Sequence, residues 1–193
     1  MTTKPVADTI GQAAVWVSAN EARAHAYHYR GRIYQWHKND QLQAADDYTA
    51  ALRLDPEIRM VRYRRACAYH ELKKYAQAHA DFAAAYDRTP DDPNLLNAWA
   101  WQLATCPEAK YRDGPLALKL AKKTKDRKTL AAAYAEIGEF DEAVAAQKRA
   151  LQQLEDLPEP KNEQAAKRRR ERTTQMQTQL AAYEAKQPYR DEE

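Results

Sequence analysis

Small and apolar residues recur along this chain every three or four positions, with polar and charged residues between them. This spacing places the apolar residues on one face of an α-helix, so the pattern predicts amphipathic helices. One set of small, aromatic and proline residues also reappears 34 residues further along the chain. The first set is Ala44, Tyr48, Ala51 and Pro56, and the second is Ala78, Phe82, Ala85 and Pro90. A fixed period of this length indicates stacked structural repeats.

A small residue followed three positions later by a large one occurs four times. Small side chains let two helices approach closely, and the large residue one turn further fills the groove beside them. The prolines disfavour helical geometry in the residue before them, so they end the second helix of a pair. The four pairs are Gly31 with Tyr34, Ala66 with Tyr69, Ala100 with Leu103, and Ala131 with Tyr134.

These signals predict paired helices along most of the chain. Ser18 and Glu21 have the spacing of a capping box, which predicts that the first helix begins at about residue 19. Asp92 and Pro93 predict a later start, with an N-cap followed by proline in the first turn. The predicted pairs cover residues 19–37 and 41–54, 57–72 and 75–88, 93–105 and 113–123, and 126–137 and 140–154, followed by a last helix at 162–186.

Composition supports an all-helical chain. Only 4 of the 193 residues are glycine, which leaves little material for tight turns or phosphate-binding loops. The formal net charge of +3 is only mildly basic, so it does not indicate a dedicated nucleic-acid binder. Two cysteines cannot make a disulfide framework, and no stretch approaches the roughly 18 apolar residues that a membrane span needs. We therefore expect a soluble, cytoplasmic protein that does not contact membranes.

The segment YRRACAYHELKKYAQAHADFAAAYDRTPDD resembles a nearly complete tetratricopeptide repeat, and its 34-residue period is that family's own. Residues 97–151, with NAWAWQLATCPEAKYRDGPLALKLA and TLAAAYAEIGEFDEAVAAQKRAL, are similar to a bacterial subfamily with an AW..LATCP....RDG signature. The ending LAAYEAKQPYRDEE also looks like that subfamily's usual close. The resemblance implies a solenoid that holds other proteins and does not fix the partner.

The expected architecture is an all-α tetratricopeptide-repeat solenoid of about four helix pairs with a C-terminal capping helix. We divide the chain into an N-terminal segment at 1–18, the repeat array at 19–156, a linker at 157–161, and a capping helix with a tail at 162–193. Met176, Leu180 and Tyr183 should face inward, because the end of a repeat array cannot leave its apolar face in water.

In tetratricopeptide-repeat proteins the first helix of each pair lines the concave surface that binds partners, and this resemblance supplies the candidate contacts. Their mixture of imidazole, guanidinium, amide and aromatic groups would suit a peptide that carries carboxylates. The lysine and asparagine clamp of some members is not reproduced, because His28, Arg32 and Arg64 stand at the matching positions. The candidates are His25, His28, Arg32, Gln35, Met60, Tyr63, Arg64, Cys67, His70, Asn94, Asn97, Ala98, Trp101, Lys125, Lys128 and Thr129.

The third repeat departs from the pattern in two ways. It gains about five residues in TCPEAKYRDG, which is either a tolerated loop insertion or a loop that contacts a partner. About eight residues are then missing between Ala121 and Leu130. The helices there are either joined by a very tight turn or fused into one, and fusion could expose an apolar face for a homodimer through residues 115–137.

The strongest charge feature is the basic run Lys167, Arg168, Arg169, Arg170 and Arg172. It is either a solvated helix face with Glu163 and Glu171 as local partners, or a contact for phosphate or an acidic protein. The main functional hypothesis is a scaffold or adaptor that binds a protein segment in the groove. The alternative is a nucleic-acid-associated accessory protein that uses the basic run.

Catalysis and cofactor binding find little support in the sequence. Cys67 and His70 lie on one helix face, but a small cysteine at a packed position is common and no orienting acid is implied. His25 and His28 could supply two metal ligands, yet no third ligand stands at a recognisable spacing. We therefore predict no enzyme activity, no metal and no cofactor.

Overall fold

The computed structural model describes residues 6–191, with side chains from residue 19 onward. Every regular element in that part of the chain is a helix, which confirms the all-α helical-repeat fold class. The helices form two compact units, Met1–Arg88 and Thr89–Glu193, which we describe separately.

The first unit begins with a helix that is longer than predicted. The start expected at residue 19 is wrong, since helix α1 already runs through Ser18 and its backbone needs no cap there. The stretch from Val6 to Ser18 contains no proline and many helix-forming residues, so nothing in it stops the helix. The elements are α1 Val6–Ile33, a π-helical segment Tyr34–Lys38, α2 Gln41–Leu54, α3 Val61–Glu71 and α4 Tyr75–Tyr86.

The repeated positions form the core of the first unit, as predicted. All six alanine and aromatic positions of the two sets are buried, with Tyr48 fully enclosed. A Cβ atom added to Gly31 would lie 2.7 Å from Cε1 of Tyr48, so only glycine allows α1 to approach this ring so closely. The small residue of the first repeat therefore accommodates the aromatic residue of the second helix directly.

Each of the two helix pairs of the first unit also contains an ion pair that the sequence analysis did not predict. Arg30 of α1 donates two hydrogen bonds to Asp47 of α2, at 2.8 and 2.7 Å. Arg65 of α3 binds Asp81 of α4 in the same two-bond arrangement, at 2.6 and 2.8 Å. Bidentate pairs of this kind orient the two helices as well as attracting them.

The second unit contains separate helices where fusion was considered. Helix α6 ends at Ala121, and α7 begins at Arg127, where the carboxylate of Asp126 accepts a hydrogen bond from the Thr129 N–H at 2.8 Å. This N-cap begins a new helix in a stretch that contains no glycine or proline. The prediction of a fused helix is wrong. Fusion therefore gives no reason to expect a homodimer through residues 115–137. The helices are α5 Pro93–Thr105, α6 Gly114–Ala121, α7 Arg127–Glu136, α8 Phe140–Glu155 and α9 Glu163–Glu184.

Helix α9 packs on α8 as the predicted capping helix. Met176 and Tyr183 are buried as expected, and Leu180 is partly exposed. Gln179, which was not among the residues predicted to face inward, is fully buried and accepts a hydrogen bond from Nε2 of Gln147 at 3.1 Å. The same Nε2 donates to the Met176 carbonyl at 2.8 Å, so this amide pair joins the two helices inside the core.

Candidate functional site

Two guanidinium groups and an indole ring meet on the first unit. The guanidinium of Arg32 lies 5.2 Å from the ring centroid of Trp36, and that of Arg64 lies 4.8 Å from the same centroid. Arg32 and Trp36 are one helical turn apart, which brings their side chains together. Trp36 is nevertheless 59% exposed. These three residues, which we call the arginine–tryptophan cluster, combine two cation–π contacts with a surface open to solvent.

Neighbouring arginines on the same helices behave differently. Arg30 and Arg65 are both held by aspartates, whereas neither Arg32 nor Arg64 has an ion pair with any residue that the structure describes. Residues one or two positions apart on a helix face different directions, which explains the contrast. Nε of both Arg32 and Arg64 is also shielded from solvent without a hydrogen-bond partner among the described residues. The cluster therefore has donors available for an anionic group.

His28 lies beside this cluster and is held in its neutral form. Burial lowers its pKa to about 4, and the neighbouring Arg64, Arg32 and His25 lower that pKa further. Its ring lies 6.1 Å from that of Tyr48, and the Tyr48 hydroxyl donates a hydrogen bond to Gln35 at 2.8 Å. Of the predicted contacts, His28, Arg32, Gln35 and Arg64 are thus brought together around Tyr48 and Trp36.

The depressed pKa of His28 predicts an acid-sensitive first unit. Between about pH 6.5 and pH 4 the unfolded chain binds a proton at this histidine that the folded chain does not. The free energy of unfolding should therefore fall as the pH falls through that window. In the His28→Gln variant the free energy of unfolding should fall less steeply over the same window. Urea unfolding at a series of pH values measures both slopes, and equal slopes would contradict the assignment.

Cys67 does not have the environment of a nucleophile. Burial raises the pKa of its thiol to about 12, which is the opposite of the activation that catalysis needs. His70 instead makes an edge-on ring contact with Tyr75, at a centroid distance of 5.6 Å. Among the residues whose placement is described, no three His, Cys, Asp or Glu side chains form a group that could hold a metal ion.

The remaining first-unit candidates frame the start of α3. Met60 stands directly before α3 in a left-handed conformation, with φ 67°. Tyr63 forms a hydrogen bond with Cys67 one turn further on, and this bond opposes the rise in the thiol pKa. Both predicted contacts are partly exposed and close to Arg64 in the sequence.

In the second unit, the predicted contacts Trp101 and Lys128 lie together. Nζ of Lys128 is 3.8 Å from the ring centroid of Trp101, a close cation–π contact. Burial lowers the pKa of Lys128, against the attraction of Asp126 and Asp191. Nε1 of Trp101 donates a hydrogen bond to Oδ2 of Asp191 at 2.8 Å. The chain's own C-terminal segment therefore contacts these candidates, which the sequence analysis did not anticipate.

The inserted loop of the third repeat makes contacts within the second unit. Arg112 donates to the carbonyls of Cys106 and Pro107, at 2.9 and 3.0 Å, and to Oε1 of Glu136 at 3.0 Å. Nη1 of Arg190 lies 2.7 Å from Oε2 of the same glutamate. Glu136 thus joins the loop at residues 112–114 to the segment at residues 188–191, two parts of the chain that are far apart in the sequence. The loop has a structural role here.

The other second-unit candidates differ in their exposure to solvent. Asn94 and Lys125 are exposed, the first near the start of α5 and the second just before α7. Asn97 is partly buried, and its Oδ1 is shielded without a hydrogen-bond partner within the described residues. Ala98 is partly buried and Thr129 is buried, so neither offers much contact surface.

The basic run on α9 has the local partners that its solvated interpretation predicts. Arg170 pairs with Glu163 at 2.6 Å, and Lys167 lies 4.0 Å from Glu171. Arg169 has a further structural role, because it donates to the carbonyls of Leu154 and Glu155 at the end of α8 and to the carbonyl of Pro158 beyond the helix. Arg168 and Arg172 are exposed.

Comparison with known proteins agrees with this organisation. The sequence profile described as "Tetratricopeptide repeat" matches residues 61–92, which contain α3 and α4. No curated protein matches the chain. None of the helices in the described part of the chain is long and apolar enough to cross a membrane.

Proposed function

From the tetratricopeptide repeat at residues 61–92, we propose that this chain is a protein-interaction scaffold or adaptor whose first unit binds an acidic segment of a partner protein. Tetratricopeptide repeats are in general protein-binding structures, and the side chains of this chain supply the preference for acidic groups. The site consists of the arginine–tryptophan cluster with His28 and Gln35 beside it.

The observation that carries this proposal is the difference between the arginines. Arg30 and Arg65 already hold carboxylates within the fold, while Arg32 and Arg64 have none among the described residues. A carboxylate in the partner would replace the missing acid and gain charge-assisted hydrogen bonds, each stronger than a neutral one. The exposed face of Trp36 would cover the neighbouring apolar part of the segment. Helices hold these groups in place, so little ordering entropy is lost on binding.

A labelled peptide tests the preference for acid directly. The probe is a fluorescein-labelled peptide of about eight glutamates, and fluorescence anisotropy measures its affinity. We expect saturable binding that weakens with added salt, and a loss of about tenfold or more in Arg32→Gln/Arg64→Gln, since each charge-assisted bond contributes about 1.5–3 kcal/mol. The matched control is Arg53→Gln/Arg59→Gln, which removes two exposed positive charges elsewhere in the first unit.

Two outcomes would contradict the proposal. One is equal loss of affinity in both double variants, which would mean that only the net charge matters. The other is equal binding of the glutamine counterpart of the peptide, which would mean that carboxylates are not recognised. Affinity capture from the native cell, with the same variants at low and high salt, then identifies the partner.

The structure also improves the test of the alternative role in nucleic-acid association. Arg169 caps α8, so replacing it would disturb the fold as well as the charge. Arg168→Gln/Arg172→Gln removes two exposed cations of the run instead. We expect this variant to capture the same proteins as the unaltered chain, because our proposal places binding on the first unit. We also propose that the chain belongs to the bacterial subgroup with the AW..LATCP....RDG signature and acts in the cytoplasm.

A further inference from the structure

The last described residues return from the end of α9 across α5 and α7 of the second unit. Each of three consecutive side chains in this segment makes a defined contact, so the segment is ordered along its length. The ring of Tyr189 is tilted by 44° against that of Trp101, with the centroids 6.1 Å apart. Nη1 of Arg190 lies 2.7 Å from Oε2 of Glu136 and 3.2 Å from the Ala104 carbonyl, and Asp191 accepts a hydrogen bond from Nε1 of Trp101 at 2.8 Å. The Asp191 N–H also donates to the Thr105 carbonyl at 3.0 Å.

These contacts resemble those of a bound peptide. The segment uses its backbone as well as its side chains, and it binds the last carbonyls of α5 and the indole N–H of Trp101. The Ala104 and Thr105 carbonyls are at the C-terminal end of α5, where a helix lacks its own donors and attracts a cation. Arg190 and the Asp191 N–H supply those donors.

The receiving surface is held together without this segment. Arg112 binds Glu136 and the carbonyls of Cys106 and Pro107, so the loop and α7 remain joined when Arg190 is absent. Nζ of Lys128 also contacts the ring of Trp101 directly, and both residues belong to helices of the second unit. A preformed surface of this kind loses little entropy when it binds a ligand.

We infer that the surface formed by Trp101, Ala104, Thr105 and Glu136 is a peptide-binding site, and that its ligand is the C-terminal segment of this same chain. The site recognises an aromatic residue, an arginine and an acid in that order. The indole ring of Trp101 contacts the aromatic residue, and its N–H donates to the acid. Glu136 and the Ala104 carbonyl bind the arginine. This site is independent of the arginine–tryptophan cluster on the first unit.

In the intact chain the site is filled by its own segment. Only residues 185–188 separate α9 from Tyr189, the first contact of the segment, and a short connection gives a local concentration on the order of millimolar. A free peptide at micromolar concentration cannot displace a segment whose local concentration is on the order of millimolar. The site becomes available to another chain only when the segment is removed or released.

Removing the segment and adding it back as a peptide tests the inference. The protein is the chain ending at Gln187, and the probe is a fluorescein-labelled peptide of residues 186–193. Fluorescence anisotropy measures the affinity of the peptide. We expect saturable binding to the shortened chain and binding at least about tenfold weaker to the intact chain. Arg190→Gln or Asp191→Asn in the peptide should weaken binding about tenfold, and a scrambled peptide of the same composition is the matched control.

Circular dichroism establishes whether the shortened chain is folded. A folded shortened chain that does not bind the peptide, or that binds the scrambled peptide equally well, overturns the inference. If shortening prevents folding, the full-length variant Arg190→Gln/Asp191→Asn replaces it, because its weakened segment should admit the peptide. Equal affinity of that variant and the unaltered chain would overturn the inference too. Arg32→Gln/Arg64→Gln in the shortened chain should bind the peptide unchanged, which separates this site from the first-unit site.

Discussion

Replacing Glu136 with alanine should destabilise the second unit by about 3–5 kcal/mol, the cost of leaving a buried charge without its partner. Its carboxylate is 13% exposed and joins Arg112 and Arg190, which are 19% and 24% exposed. Loss of the acid leaves two shielded guanidinium groups side by side. It also releases the inserted loop and the C-terminal segment from α7. Urea unfolding followed by circular dichroism measures the change in the free energy of unfolding.

The control for this prediction is Glu142→Ala, which removes an exposed glutamate from the first turn of α8. Its only expected cost is the interaction with the helix dipole, below about 1 kcal/mol. The loss in the free energy of unfolding for Glu136→Gln should lie between those of Glu136→Ala and Glu142→Ala, because the amide oxygen still accepts a hydrogen bond. A loss in Glu136→Ala as small as that of the control would show that Glu136 does not hold these parts together.

The second large effect is expected from Asp81→Ala in the first unit. Arg65 is 17% exposed and Asp81 is 9% exposed, so the pair is shielded from water. The hydrogen bond to Asp81 raises the pKa of Arg65, because the aspartate favours the charged guanidinium. Removing the acid leaves that charge without its partner, at a cost of about 3–5 kcal/mol in the free energy of unfolding.

The equivalent ion pair of the preceding repeat provides a matched comparison. Asp47→Ala removes the same group, but its partner Arg30 is 57% exposed and can be hydrated by water instead. Urea unfolding should therefore show a clearly smaller loss for Asp47→Ala than for Asp81→Ala. Equal losses would mean that burial of the arginine does not decide the cost. Arg65→Met/Asp81→Leu should recover much of the stability, since apolar residues can replace a buried pair.

The helices were predictable because their signals are local. Periodic alanines and aromatics mark the packed faces, and Asp92 with Pro93 marks a helix start that the structure shows at the predicted position. The errors arose where a local signal conflicted with a stronger one. Ser18 looks like a cap, but the residues before it continue the helix. Asp126 is a cap that separates two helices, and it stands in a stretch without glycine or proline.

Contacts between distant residues were harder to predict. The ion pairs of Arg30 and Arg65 depend on which side of each helix faces its partner, and one sequence does not show this. The meeting of Trp101 with Asp191 joins residues 90 positions apart. Both lie in segments that resemble a bacterial tetratricopeptide subfamily, but the resemblance does not show that the two residues meet. The resemblance located the first-helix faces, and only the structure distinguished Arg32 and Arg64 from their neighbours.

The buried amide pair between α8 and α9 determines where the C-terminal segment begins. An apolar helix face can shift along its neighbour by one turn, about 5.4 Å, with little change in apolar contact. Gln147 prevents this shift, because its Nε2 reaches Gln179 and the Met176 carbonyl in only one alignment. A shift of one turn would carry Asp191 beyond reach of Trp101. Hydrogen bonds of one buried glutamine thus determine which residue of the C-terminal segment lies beside Trp101.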